Sequence, residues 1–188
     1  MPSCDQEIVC REKEIDNLFN MICAWDGKRV RRNGKHMVCI SAYGGIGKTV
    51  LVIEFIERLL ECLRSSDYLG FRPEFILFYS AKDQKLDYNP HSGNLSVSKM
   101  HQQVNGFDML MDCFYQDLKL DKTDSEWNIP GILVVDNLET FSEEDRKKLL
   151  RFIVDDLPPS VSVIVTTRIP VGNEADADIP LCGFPNES

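Results

Sequence analysis

Several things are scarce in this chain, and each scarcity closes off a class of function. No apolar run approaches the ~20 residues that a membrane-spanning helix needs, and the N-terminus carries no signal-peptide pattern. No membrane partner is therefore expected. Histidine occurs only three times without clustering with the cysteines, and none of the seven cysteines stands in a C-x-x-C pair. A structural zinc site is excluded on that spacing. An odd number of free thiols suits a reducing cytoplasm, which is the expected location. Positive charge is also short: 21 Lys and Arg face 30 Asp and Glu, for a net charge of −9. Non-specific binding to nucleic acid is disfavoured, and no basic track interleaved with aromatics supports a helicase or motor. The local exception is Lys28-Arg29-Val30-Arg31-Arg32-Asn33-Gly34-Lys35-His36. That run is read either as a solvated loop before a strand or as a contact for a polyanion or an acidic partner.

What is present is ordinary in bulk and specific in detail. A length of 188 residues, 43% hydrophobic and 27% charged, suits one α/β domain with its own core. Ile15, Leu18, Phe19 and Ile22 recur at helical spacing and predict a helix from Arg11 to Ala24. Apolar runs predict strands at Met37–Ser41, Phe75–Tyr79, Ile132–Val135 and Val161–Val165, with a short fifth at Ile179–Leu181. Between them, helices are predicted from Lys48 to Leu63, from Phe107 to Leu118, and after Ser142, whose following acids Glu143, Glu144 and Asp145 suit a helix N-terminus. Asp156-Leu157-Pro158-Pro159 ends that last helix. Residues Ala81 to Gln103 are polar and predict a long loop. It is read either as a lid near a ligand or as a disordered stretch, with a helical part around Ser98–Val104. Strands without polar alternation, separated by helices, imply a parallel sheet covered on both faces.

The most informative stretch follows the first strand: Ala42-Tyr43-Gly44-Gly45-Ile46-Gly47-Lys48-Thr49. Strand, glycine-rich turn, Gly-Lys-Thr and helix together make a phosphate-binding loop. Glycines let backbone N–H groups wrap phosphate oxygens, and the helix presents its positive end to them. Lys48 can then reach the β- and γ-phosphates, while Thr49 can offer its hydroxyl to Mg²⁺. The usual pattern G-x-x-x-x-G-K-S/T wants glycine at Ala42, and alanine there carries a cost if φ must be positive.

Two further elements stand at strand ends. Ile132-Leu133-Val134-Val135 is followed by Asp136, which places a carboxylate where it can hold Mg²⁺ directly or through water. Glu139, three residues on, is the candidate base for an attacking water, since Asn137 is an amide and has no basic group. Val165-Thr166-Thr167-Arg168 ends the fourth strand. Arg168 is read either as a fork of donors for the γ-phosphate or as the partner of a neighbouring acid.

These segments resemble the STAND NTPases, the signal-transduction ATPases that include the NB-ARC and NACHT groups. Tyr43-Gly44-Gly45-Ile46-Gly47-Lys48-Thr49-Val50-Leu51 is similar to the family's phosphate loop. Leu133–Glu139 is similar to its Walker B segment, and Val163–Arg168 to its sensor strand. Ile8-Val9-Cys10-Arg11-Glu12 resembles its Gly-Arg-Glu entry motif, with Cys10 in the glycine's place. The resemblance implies a three-layer α/β/α P-loop NTPase fold with a parallel five-stranded sheet of ASCE type. In that sheet the sensor strand lies between the phosphate-loop and Walker B strands. It also implies that Val9 and Arg11 sit near adenine, and that Gly44 to Val50 hold the nucleotide. ATP or ADP with Mg²⁺ is the expected cofactor.

On this resemblance, residues 1–36 are an entry segment and helix leading into a nucleotide domain at 37–188, expected to be part of a longer multidomain protein. Self-association of the full-length protein and attached effector and sensor domains are the expected partners. The implied function is a slow regulatory ATP hydrolase whose nucleotide state controls oligomerisation, in a signalling or defence role. The alternative is a scaffold that traps nucleotide without useful turnover. A GTPase is disfavoured, because the guanine-reading Asn-Lys-x-Asp segment is missing and Ala81-Lys82-Asp83 imitates it poorly.

Overall fold

Strand β5 (Gly131–Asp136) is buried at all six positions and anchors the architecture. A strand of Ile, Leu and Val with no polar alternation can be stable only with apolar cover on both faces. Its neighbours supply the sheet. The computed structural model describes residues 11–23, 36–43, 45–68, 70–81, 85–89, 94–98, 104–122, 127–169, 171 and 175–181. Among these, β1 (His36–Ser41), β2 (Phe75–Ser80), β5, β6 (Val161–Thr167) and β7 (Ala177–Pro180) form one sheet of order β2-β5-β6-β1-β7. Every pairing in it is parallel. The sensor strand β6 thus stands between the phosphate-loop strand β1 and the Walker B strand β5, the order that defines an ASCE-type P-loop fold.

Alternate residues of each strand feed two cores. Ile132, Val134, Val38, Ile40 and Ile164 join α1 (Glu12–Cys23) and α2 (Lys48–Arg64) through Leu18, Leu51, Phe55 and Leu59. Leu133, Val135, Met37, Val163 and Val165 face the other way. They join α3 (Phe107–Leu118) and α4 (Glu143–Arg151) through Leu110, Phe114, Leu149 and Leu150. The two-residue period of a strand and the wide apolar stripe of each helix together produce three layers, α/β/α. At the amino ends of β2 and β5, Gly131 leaves room for Phe75: a Cβ there would come within 2.2 Å of the ring. Phe75 in turn packs edge-on against Phe114, which also meets Phe152 and Trp127.

The helix after Ser142 begins as its sequence predicts. The Ser142 hydroxyl accepts from the Asp145 N–H at 3.1 Å, and α4 then widens into a turn at Phe152–Asp156 before Pro158. The long polar loop expected at 81–103 is corrected. Lys85–Asn89 (β3) and Asn94–Ser98 (β4) pair as an antiparallel hairpin, with Leu86 opposite Val97 and Tyr88 opposite Leu95. Alternating apolar residues in two short runs carried that signal, which the surrounding Asn, Ser and Gly obscured. The possible helical part falls on residues 99–103, outside the described ones, as do Val9, Gly44 and most of the basic run. Among the described residues no helix is long and apolar enough to cross a membrane.

Candidate phosphate and metal site

The site grows from the carboxyl ends of β1, β5 and β6. Leaving β1, the chain keeps its ladder for one more residue, with the Ala42 N–H bonding the Thr167 carbonyl at 3.2 Å. Ala42 is not among the positive-φ residues, so the expected cost of alanine there does not arise. The strained positions are Gly45 and Gly47, both at φ +81°, where an L side chain is disfavoured. Two left-handed glycines curl the loop back so that α2 starts directly above it.

The start of α2 is unusual for a helix. Its N-cap is Gly47, with no side-chain cap, and its first turn holds no acid but does hold Lys48. A helix start normally gathers side-chain caps and carboxylates, as α4 does with Ser142, Glu143, Glu144 and Asp145. A cation at the positive end of a helix dipole is unfavourable unless an anion sits there. Lys48 is 7% exposed, and its Nζ donates to the carbonyls of Ala42 at 3.0 Å and Tyr43 at 3.4 Å. Arg11 braces the loop from α1's side, its Nη2 donating to the Ile46 carbonyl at 2.7 Å. Val50, also expected near the nucleotide, is half exposed on the first turn of α2.

Asp136 is fully buried at the end of β5. Its Oδ1 accepts from Thr49 Oγ1 at 3.0 Å and from Thr166 Oγ1 at 2.5 Å. Its Oδ2 accepts from Ser80 Oγ at 3.0 Å and from the Asn137 amide. Asn137 takes the left-handed conformation, φ 62°, which turns its backbone N–H onto Thr166 Oγ1 at 2.9 Å. Among the described residues the four side-chain donors to Asp136 are neutral groups, none of which carries a positive charge to set against a carboxylate. With the Thr49 hydroxyl beside it, the donor set is all hard oxygen, which fits Mg²⁺.

Glu139 and Arg168 meet each other at the rim. Arg168 Nε lies 3.0 Å from Glu139 Oε1, and the Arg168 N–H donates to Oε2 at 3.2 Å. The Glu139 side chain is 12% exposed and that of Arg168 51%. The candidate base and the candidate sensor are therefore partners of one another. Sequence reasoning missed Ser80 and Thr166 as contributors. Their signal was a hydroxyl residue closing an apolar strand, in Phe-Ile-Leu-Phe-Tyr-Ser and Val-Ile-Val-Thr. The buried thiols take no part: burial pushes Cys39, the central residue of β1, up to about 12, with the Asp178 charge adding to it.

No family model matches this chain, and no curated protein matches it. Among solved structures, a chain in a structure of Drosophila ORC bound to DNA is similar over 90% of this chain. The identity is 15% and the TM-score 0.45, and the match spans 38% of that chain's length. A likeness at that level carries nothing about function. The fold rests on the strand order and the loop at its centre.

Proposed function

We propose that this chain is an ATP- and ADP-binding regulatory module of the STAND type, which binds nucleotide with Mg²⁺ and hydrolyses ATP slowly. The observation that carries the reading is the bond between Thr49 and Asp136, 87 residues apart, under a loop whose two glycines are left-handed. Folding has brought a lysine, a hydroxyl and a buried carboxylate to one spot at an uncapped helix start. A polyphosphate with a divalent cation satisfies each of these at once. When bound, Mg²⁺ would neutralise charge between the β- and γ-phosphates. Lys48 would leave the Ala42 and Tyr43 carbonyls for the phosphate oxygens, and Arg11 would hold the loop's shape through Ile46. In hydrolysis Glu139 would take the proton of a water attacking the γ-phosphorus, as the bond to the ADP oxygen breaks. Nucleotide-dependent self-association, effector and sensor domains, and a signalling or defence role complete the reading and rest on the sequence resemblance.

One observation favours the second reading, a scaffold that traps nucleotide. Both oxygens of Glu139 are engaged by Arg168. For either oxygen to reach a water, one of these contacts must first break.

The test is the melting temperature of the purified chain with Mg-ATP and Mg-ADP. Both should raise it for the natural sequence, and neither for Lys48→Ala. A charge-assisted contact of this kind contributes about 1.5–3 kcal/mol, or roughly ten- to a hundredfold in affinity. Equal binding by Lys48→Ala would refute the site. Glu139→Gln separates the two readings: loss of slow hydrolysis supports the ATPase, and no hydrolysis in either form supports the scaffold.

A further inference from the structure

We propose that Ser80 is a positioning residue that keeps Asp136 a one-oxygen ligand and thereby makes the metal site prefer magnesium to calcium. The inference rests on the nucleotide-site reading above and deepens it.

A carboxylate offers about four lone-pair sites. Among the described residues four side-chain donors meet Asp136, two on each oxygen. The two oxygens are not equivalent. Oδ1 receives Thr49, whose hydroxyl can rotate to turn its own lone pair and that of Oδ1 towards a cation at the phosphate loop. Oδ2 receives Asn137 and Ser80, and Ser80 ends β2, which β5 and β6 separate from β1 and its loop. Ser80 cannot drift. It is fully buried, it closes β2 in register with Asp136, and the next residue's N–H bonds the Asp136 carbonyl at 3.2 Å. Its hydroxyl accepts from the Asn137 amide at 3.4 Å and donates to Oδ2 at 3.0 Å. Oδ2 is thereby withheld from any metal.

The consequence differs between cations. Ca²⁺ collects six to eight oxygens in flexible geometry and often takes a carboxylate through both. Mg²⁺ demands an octahedron, keeps several waters, and is satisfied by one carboxylate oxygen with phosphate. A clamp on Oδ2 costs Mg²⁺ nothing and denies Ca²⁺ its second oxygen.

The experiment measures ADP affinity of the intact chain in EDTA, in Mg²⁺ and in Ca²⁺, for the natural sequence, Ser80→Ala and Ser80→Cys. The natural sequence should bind more tightly in Mg²⁺ than in Ca²⁺. Removing a group that orients a metal ligand typically shifts metal affinity by ten- to a hundredfold, so Ser80→Ala should narrow the Mg²⁺ to Ca²⁺ preference about tenfold. Affinity in EDTA should hold, since Lys48 and the loop are untouched, whereas a merely structural role would weaken all three conditions together. Ser80→Cys, near in size and a weaker donor, should fall between, and it decides the matter if Ser80→Ala does not fold. An unchanged preference in the folded variant overturns the role of Ser80 and leaves the nucleotide site standing. No metal preference in the natural sequence does the same. No nucleotide binding in any condition overturns both.

Discussion

The two ends of the same parallel strands are built to different rules. At the amino ends, Phe75 lies over Gly131 and packs on Phe114, which also meets Phe152 and Trp127. At the carboxyl ends the same strands finish in Ser41, Ser80, Asp136 and Thr167, all buried. Among the described residues the other buried polar groups, Arg11, Lys48, Asn137 and Thr166, gather there too, and Ser162 alone lies near the opposite end. Apolar contact is non-directional and stabilises wherever area is removed from water. Buried polar groups cost free energy unless each is partnered. The carboxyl end therefore depends on directional partners where the amino end depends on contact area, and it is the end at which we propose the nucleotide binds.

The sharpest way to break that contrast is to cut into the packing end. Phe114→Ala should lower unfolding free energy by about 3–5 kcal/mol, because the cavity sits among aromatic rings that collapse poorly. Urea denaturation measures it. Nucleotide affinity of the folded fraction should stay within about twofold, since the site lies at the other end. A large loss of affinity with little loss of stability would merge the two regions.

A smaller effect is expected at the polar end. Thr166→Val removes one donor to Asp136 and leaves the Asn137 N–H without its acceptor. Stability should fall by about 1–3 kcal/mol, the cost of an unsatisfied buried group. Here, unlike Phe114→Ala, Mg²⁺-dependent nucleotide binding should weaken as well. Unaltered metal dependence, read by calorimetry with and without EDTA, would detach Thr166 from the site.

The smallest effect at neutral pH concerns the middle of the molecule, where Cys23 and Cys39 lie. Burial raises both thiols from 9.0 to about 12. The unfolded chain releases these protons first, so above pH 9 it binds fewer protons than the folded chain. Stability is therefore fully present below pH 9 and declines as pH rises towards 12. A Cys39→Ala variant should flatten that decline in denaturant titrations. An identical slope would mean that the strand interior is wetter than its packing indicates.

Much of this was legible in the residues themselves. Ser142 and the three acids after it announced α4, and the stripe Leu51, Phe55, Leu59 announced α2, because both signals lie within a few residues of one another. Gly45, Gly47, Lys48 and Thr49 announced a glycine turn opening directly into α2 for the same reason. Whether Ala42 carried a cost was left open, since its backbone angle depends on the ladder it makes with Thr167, and φ there is not positive. The hairpin at Lys85–Ser98 was missed because its apolar positions are few and its pairing is what makes them a sheet. Arg168 had two readings from sequence, and only the fold brought Glu139 against it.

Local structure, then, was decided by sequence alone: where helices begin, which runs are buried strands, and which loop turns on left-handed glycines. Those choices depend on φ preferences and periodicity over short spans. The tertiary structure decided which strand stands beside which, and so that Ser80, Asp136 and Thr166, from three strands, share one carboxylate's lone pairs. That convergence depends on pairings between residues 30 to 56 positions apart, which no local pattern encodes.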